Sequence, residues 1–176
     1  MWVGTLDTFN GLPSIIGTLS KFVDREGWQL IVVGDGPYRH ELEKKYPRIL
    51  FTGYCNPERY YRSASILVVS SIGNENFPTV VLEGMQHAIG VVGNNLGRIA
   101  ELISHNETGL LYNSLNSLSD ILLSLVEDPN RLRNLGRSAQ AVFNENYRWE
   151  LCVRNYLNLY SKIFSNQSNQ SQTISI

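Results

Sequence analysis

The chain has 176 residues, of which 43% are hydrophobic and 18% are charged, a composition typical of one globular domain with a substantial core. The formal net charge of −1 excludes bulk electrostatic capture of nucleic acid or of an anionic membrane, so any bound phosphate must be held by local geometry. The sequence contains no apolar run long enough for a membrane span, no signal peptide and no CxxC pair. We therefore expect a cytoplasmic protein with Cys55 and Cys152 reduced.

Six short apolar segments alternate with amphipathic stretches in the first two thirds of the chain. They predict strands at residues 2–4, 30–33, 49–52, 66–70, 91–93 and 110–112. Several segments are apolar at successive positions, which is typical of strands buried on both faces. Helices are predicted to start near Pro13, Pro37 and Pro78. The alternation predicts an α/β fold with a Rossmann-like, doubly wound parallel sheet.

The chain after residue 112 is purely helical in pattern. Apolar stripes at residues 118–126, 132–143 and 149–164 have helical spacing, and we interpret them as packing faces. Residues 165–176 are mostly Ser, Asn and Gln, so a disordered tail is predicted after a single domain at residues 1–164. The first predicted strand begins almost at Met1, which indicates either a fragment or a partner encoded elsewhere.

The richest of the loops that follow predicted strands is at residues 70–78. In an open parallel sheet, ligands bind beyond the carboxyl ends of the strands. The N–H groups of Thr79 and Val80, at a helix start, favour an anion such as a diphosphate. Glu83, little more than one turn into that helix, can lean back toward the same place and accept hydrogen bonds from a vicinal diol. Glu75, on the loop, can reach whatever lies beyond the phosphates.

Three further loops carry glycines at predicted strand ends. Gly34 and Gly36, between a strand and a helix, resemble half of a dinucleotide-binding fingerprint whose third glycine is absent, which makes Gly34 a candidate donor-binding residue. Gly53 allows a flat base to approach the backbone. Gly97 precedes Arg98, which we place at a helix start facing the same cleft.

Each of these assignments has a simpler alternative. Glu75 is then a solvated loop charge, Glu83 an exposed helix residue, Gly34 and Gly53 ordinary turn residues, and Arg98 a surface arginine. The three histidines lie in no catalytic constellation and no metal-ligand spacing occurs, so neither a metal nor another cofactor is predicted.

Taken in order, the motifs at residues 34–37, 51–54, 75–85, 97 and 107–111 resemble the C-terminal, donor-binding domain of family 4 glycosyltransferases, which have the GT-B fold. The glutamates at positions 75 and 83 match the family's pair separated by seven residues, and Phe77 matches one of its apolar positions. The resemblance extends over about residues 2–164.

The resemblance implies a retaining, hexosyl-type glycosyltransferase with a nucleoside-diphosphate sugar as donor and a role in polysaccharide or glycolipid synthesis. It implies that Glu83 holds the ribose, that Glu75 contacts the donor sugar as the catalytic residue, and that Thr79 and Val80 bind the diphosphate. The base would lie near Gly53 and Tyr54. The acceptor would be held by an N-terminal domain or subunit, through which any membrane contact would be made.

Two features depart from the family pattern. Thr5 and Asn10 stand where the family supplies an arginine and a lysine to the diphosphate, a loss of about 3 kcal/mol of transition-state stabilisation per donor. Arg98 stands where a small residue is usual and could restore part of that charge. The second departure is the missing acceptor-binding half.

Two functions therefore remain open. One is a glycosyltransferase subunit or fragment that is inactive as this chain alone. The alternative is a catalytically impaired nucleotide-sugar-binding module or truncated remnant. An NAD-binding domain is disfavoured because no GxGxxG motif follows a strand.

Overall fold

The structure, a computed structural model, describes residues 1–23, 27–73 and 77–171. The strands are β1 (Trp2–Val3), β2 (Ile31–Val33), β3 (Leu50–Phe51), β4 (Ile66–Val69), β5 (Gly90–Asn94) and β6 (Gly109–Tyr112). The helices are α1 (Leu12–Ser20), α2 (Arg39–Lys45), α3 (Glu58–Tyr61), α4 (Thr79–Gln86), α5 (Gly97–Leu102), α6 (Leu115–Glu127), α7 (Pro129–Asn146) and α8 (Trp149–Ser171). All six predicted strands and the three helices predicted near prolines are confirmed to within about two residues.

The strands form two three-stranded sheets, β1-β2-β3 and β4-β5-β6, and the paired strands within each sheet run parallel. Met1 joins the two, because its carbonyl accepts from the amide of Val68 at 3.0 Å and its amino group donates to the carbonyl of Ile66. Across this seam the strands follow the order β3-β2-β1-β4-β5-β6. Successive strands are added outward in one direction from β1 and in the opposite direction from β4. A doubly wound fold opens a crevice for ligands at such a switch point.

Successive residues of the central strands face opposite cores. Val68 belongs to the core covered by α1 and α6, whereas Leu67 and Val69 belong to the core covered by α4, α5 and α7. Both faces of β4 and β5 are therefore dry, which explains why their sequences are apolar at successive positions.

The apolar stripes of α6 and α7 pack as predicted. Their buried residues are Leu118, Leu122 and Leu125 on α6 and Leu132, Leu135 and Ala139 on α7. Ser114 caps α6 by accepting from the amide of Ser117, and Asp128 caps α7 by accepting from the amides of Asn130 and Arg131. The two helices thus begin where their side-chain caps fix them.

The packing prediction for the third stripe, on α8, is wrong. Trp149 is 77% exposed and Phe164 is 68% exposed, and Tyr156, Leu157 and Tyr160 are exposed as well. The sheet faces are already covered by the preceding helices, since α6 packs on β6 and α7 packs on β5 and β6. The domain boundary predicted at residue 164 falls inside α8 and stays a prediction. Within the described ranges, no helix combines the length and apolarity needed to cross a bilayer.

Candidate functional site

A cleft of about 680 Å³ opens at the carboxyl ends of β1, β2 and β3. It is lined by Val3, Gly4, Thr5, Val33, Gly34, Asp35, Tyr54, Cys55, Asn56, Pro57 and Glu83. Three strand-end loops and α4 therefore converge on one cleft, at the edge of the sheet where the sequence analysis placed the site. Of the predicted donor-binding residues, Glu83, Tyr54 and Gly34 line it directly.

The floor of the cleft is built from backbone. The amide of Gly34 donates to the carbonyl of Gly53 at 3.0 Å, and the amide of Gly4 donates to the carbonyl of Val33 at 3.0 Å. Gly34 has a φ of 138°, and a Cβ there would lie 1.8 Å from the carbonyl oxygen of Gly4. Only glycine allows the loop after β1 to pass this close to the loop after β2.

Gly53 supports the cleft without lining it. It is buried, with a φ of 71°, and a Cβ would lie 2.5 Å from the guanidinium of Arg39. Arg39 is held by Asp35 at 3.1 Å and by Glu43 at 2.8 Å, and the Glu43 hydrogen bond is the main cause of the raised pKa of Arg39. The guanidinium of Arg39 therefore occupies the space where a side chain at position 53 would lie, and the aromatic ring offered to the cleft is that of Tyr54, which is 92% exposed. A base near Gly53 stays a prediction.

Glu83 is the fifth residue of α4 and its half-buried carboxylate forms part of the cleft wall. Its Oε2 accepts a hydrogen bond of 2.6 Å from the hydroxyl of Tyr61. Tyr61 is 2% exposed, and burial, reinforced by the Glu83 carboxylate, raises the pKa of its hydroxyl well above the usual range. The carboxylate is thus oriented by a buried neutral donor and keeps its remaining acceptor positions.

A second contact between α3 and the end of α4 lies behind this pair. The ring of His87 stacks on that of Tyr61 with centroids 5.1 Å apart, and its Nδ1 donates to the carbonyl of Glu83 at 2.8 Å. Its Nε2 faces Oε2 of Glu58 at 3.2 Å, and Glu58 also accepts from Arg62 at 2.9 Å. The pKa of Glu58 is lowered, first by Arg62 and then by His87.

The sequence analysis missed Tyr61 and His87. Tyr61 lies on a helix of four residues, too short for a periodic pattern, and 22 residues before Glu83. The available signal was Pro57 followed by Glu58 and then Arg62 four residues later, a start and a charge pair typical of a short helix.

The amino end of α4 starts at Thr79, as predicted. As the first two residues of the helix, Thr79 and Val80 have N–H groups without partners in the helix, whereas the amide of Val81 donates to the carbonyl of Pro78 at 3.0 Å. Phe77, just before, is 48% exposed. Glu75, the predicted catalytic residue, lies outside the described residues.

Gly97 and Arg98 are not brought to the cleft wall. Gly97 opens α5 with a φ of 51°, and the guanidinium of Arg98 pairs with Glu101 one turn later on the same helix. The side chains of Arg98 and Glu101 are 56% and 61% exposed. A direct contact of Arg98 with a ligand in the cleft stays a prediction.

The two positions that depart from the family pattern are placed differently. Thr5 is exposed and lines the cleft. The amide and Nδ2 of Asn10 both donate to Oδ1 of Asp7, at 2.8 Å and 3.0 Å, and its carbonyl accepts from the hydroxyl of Ser70 at 2.7 Å. Asn10 therefore ties the loop after β1 to the end of β4.

The charge of the cleft wall is negative. Its lining residues include the carboxylates of Asp35 and Glu83 and neither a lysine nor an arginine, counted over the described part of the chain. In the same part, no cluster of three or more His, Cys, Asp or Glu side chains could hold a metal ion. An anionic ligand here relies on backbone N–H groups and the helix dipole.

Residues 1–128 match the sequence profile of the family described as glycosyl transferases group 1. The chain is 28% identical over 166 residues to N-acetyl-alpha-D-glucosaminyl L-malate synthase of Bacillus anthracis, covering 90% of this chain and 44% of that protein. It is 28% identical over 157 residues to the sulfoquinovosyl transferase SQD2 of Arabidopsis thaliana, covering 84% of this chain and 30% of that protein. The chain therefore spans less than half the length of both.

Two solved structures share the fold. Alr3699/HepE of Anabaena, in complex with UDP, superposes with a TM-score of 0.80 at 20% identity, covering 92% of this chain and 48% of that one. The C-terminal domain of the glycosyl transferase group 1 family protein LpcC of Francisella tularensis superposes with a TM-score of 0.75 at 21% identity, covering 84% of this chain and 85% of that domain.

Proposed function

The chain belongs to the glycosyl transferases group 1 family, and we propose that it is the donor-binding half of a retaining, hexosyl-type glycosyltransferase. The observation that carries the proposal is the carboxylate of Glu83, fixed in the wall of a cleft of about 680 Å³ at the carboxyl edge of the sheet. A carboxylate repels phosphate but accepts from two adjacent hydroxyls, so a ribose is the part of a nucleotide sugar that suits it.

The other parts of the ligand follow from this anchor. The diphosphate is proposed to lie at the amino end of α4, on the N–H groups of Thr79 and Val80 beside Phe77. The base is proposed to lie over Gly34 and against the exposed ring of Tyr54. Gly53 supports this surface from below through its hydrogen bond to Gly34.

Sugar transfer is proposed to proceed with retention at the anomeric carbon. The leaving phosphate would assist the acceptor hydroxyl, and Glu83, which also lines the cleft, would be engaged by the ribose. Glu75 is proposed to contact the donor sugar beyond the phosphates. An acceptor-binding half, as an N-terminal domain or a separate subunit, is required because no other part of the site would orient the acceptor or exclude water.

A second candidate is a nucleotide-sugar-binding module that has lost catalysis. The uncharged Thr5 in the cleft wall favours it, since a leaving diphosphate gains its stabilisation from nearby cations. The role of Arg98 decides between the two candidates, because it is the cation proposed to replace the missing ones.

The test is calorimetry of the chain with UDP, GDP and ADP and with sugar conjugates of each. Saturable binding of one equivalent of a single base class supports donor binding, and the absence of binding to all of them at millimolar concentration contradicts it. Joining the chain to the N-terminal half of a relative then separates the candidates. If the chain is half of an enzyme, the joined protein should transfer sugar. If it is an impaired module, the joined protein should bind the donor without turnover.

A further inference from the structure

We infer that Tyr61 is a positioning residue that holds Glu83 in the orientation needed to select ribonucleoside over deoxyribonucleoside diphosphates. The inference rests on the proposed function, in which Glu83 accepts from the ribose diol. Its basis is the hydrogen bond of 2.6 Å from the Tyr61 hydroxyl to Oε2 of Glu83, made by a side chain that is 2% exposed.

The hydroxyl can act toward Glu83 only as a donor. Burial and the adjacent carboxylate keep it protonated, because both raise its pKa. A carboxylate has about four acceptor positions, and Tyr61 uses one of them on Oε2. The positions on Oε1 remain for a ligand, and the side chain is already fixed before the ligand arrives.

The main-chain carbonyl of Glu83 is held by His87, which in turn contacts α3. His87 stacks on Tyr61 and donates from Nδ1 to the Glu83 carbonyl at 2.8 Å, and its other ring nitrogen faces Glu58 of α3. The side chain and the backbone of Glu83 are therefore both tied to α3. This arrangement removes the rotamer freedom that a glutamate would otherwise lose on binding, which raises affinity for a diol without a new contact.

The test compares each of UDP, GDP and ADP with its 2′,3′-dideoxy counterpart and measures the ratio of their Kd values. In the wild-type chain the best-binding base should show a strong preference for the ribonucleotide. In Tyr61→Phe, which keeps the buried ring, the ratio should fall by about tenfold, the size expected from one hydrogen bond to a charged group. The Kd of the dideoxy compound should stay unchanged, because it does not use Glu83.

Three further measurements separate positioning from a structural role. para-Aminophenylalanine at position 61 restores a donor on the same ring and should recover most of the ratio. In a Glu83→Ala background, Tyr61→Phe should have no additional effect on the affinity for the ribonucleotide. Tyr112→Phe is the matched control, since Tyr112 is also a buried tyrosine but does not line the cleft, and it should leave both Kd values unchanged.

The outcomes are distinct. A wild-type chain that binds none of the nucleotides, or that binds both sugars equally, contradicts the proposed function itself. A wild-type preference that survives in Tyr61→Phe overturns only the role of Tyr61. Loss of affinity for ribo and dideoxy compounds alike, or an equal loss in the Glu83→Ala background, would show that Tyr61 only maintains the fold.

Discussion

The amide of Val68 donates to the carbonyl of Met1 at 3.0 Å, and this bond joins two three-stranded sheets into one surface. It sets β1 beside β4, so the loops after these two strands lie side by side. The amide of Ile72 then donates to the carbonyl of Phe9 at 3.0 Å, which pairs the loops directly. The crevice that carries the candidate site therefore depends on a contact made by Met1.

Replacing Glu83 by alanine should weaken nucleoside-diphosphate binding while leaving the chain folded. The substitution removes a charged acceptor for two hydroxyls and should cost roughly 1.5–3 kcal/mol of binding free energy. Calorimetry with UDP, GDP and ADP measures it. Glu127→Ala, at an exposed position at the end of α6, is the matched control and should bind as the wild type does. Equal affinities for the wild type and Glu83→Ala would remove the ribose assignment.

Replacing Tyr112 by phenylalanine should stabilise the chain. Tyr112 is 4% exposed, and its hydroxyl is buried without a hydrogen-bond partner among the described residues. Removing the unsatisfied hydroxyl should raise the free energy of unfolding by about 1 kcal/mol. Tyr61→Phe should have the opposite sign, because that hydroxyl is bonded to Glu83. Thermal melts of both variants provide the test, and a lower Tm for Tyr112→Phe contradicts it.

The reactivities of the two cysteines can show whether a ligand binds in the cleft, without any substitution. Cys55 lines the cleft, with its Sγ 3.3 Å from the hydroxyl oxygen of Thr52, whereas Cys152 lies on α8. Both are half-buried free thiols, so each should react slowly with iodoacetamide. A bound nucleoside diphosphate should slow the labelling of Cys55 and leave that of Cys152 unchanged, as measured by mass spectrometry of the digested chain. Equal protection of both cysteines would indicate that the ligand reduces unfolding of the whole chain, and not that it occupies the cleft.

The sequence was informative where a pattern is local. The strands were found because Leu67, Val68 and Val69 are all apolar, and burial on both sides of the sheet requires that. The Tyr61–Glu83 contact could not be found because it depends on how α3 packs against α4. The stripe on α8 was read correctly as apolar, but a stripe does not show whether a partner covers it, and Trp149 is 77% exposed.

The last prediction concerns the charge missing from the cleft wall. Thr5 lines the cleft, so Thr5→Arg should place a guanidinium where it can bind a diphosphate in a bidentate way. Combined with Asn10→Lys, it should raise affinity for the nucleoside diphosphate by about tenfold or more, given about 1.5–3 kcal/mol for a hydrogen bond to a charged group. Thr5→Gln, which adds length without charge, is the control and should have a much smaller effect.

Arg98 is expected to supply part of this charge in the natural chain. Its ion pair with Glu101 does not prevent this, because both side chains are more than half exposed and exposed pairs contribute little stability. Arg98→Ala should therefore weaken binding in the natural background and matter much less once Thr5 and Asn10 are replaced, since groups that share one phosphate are coupled. Equal losses in both backgrounds would rule out compensation. No loss in either would make Arg98 a surface residue, and the absence of a cation from the described cleft wall would then favour the impaired module over the enzyme.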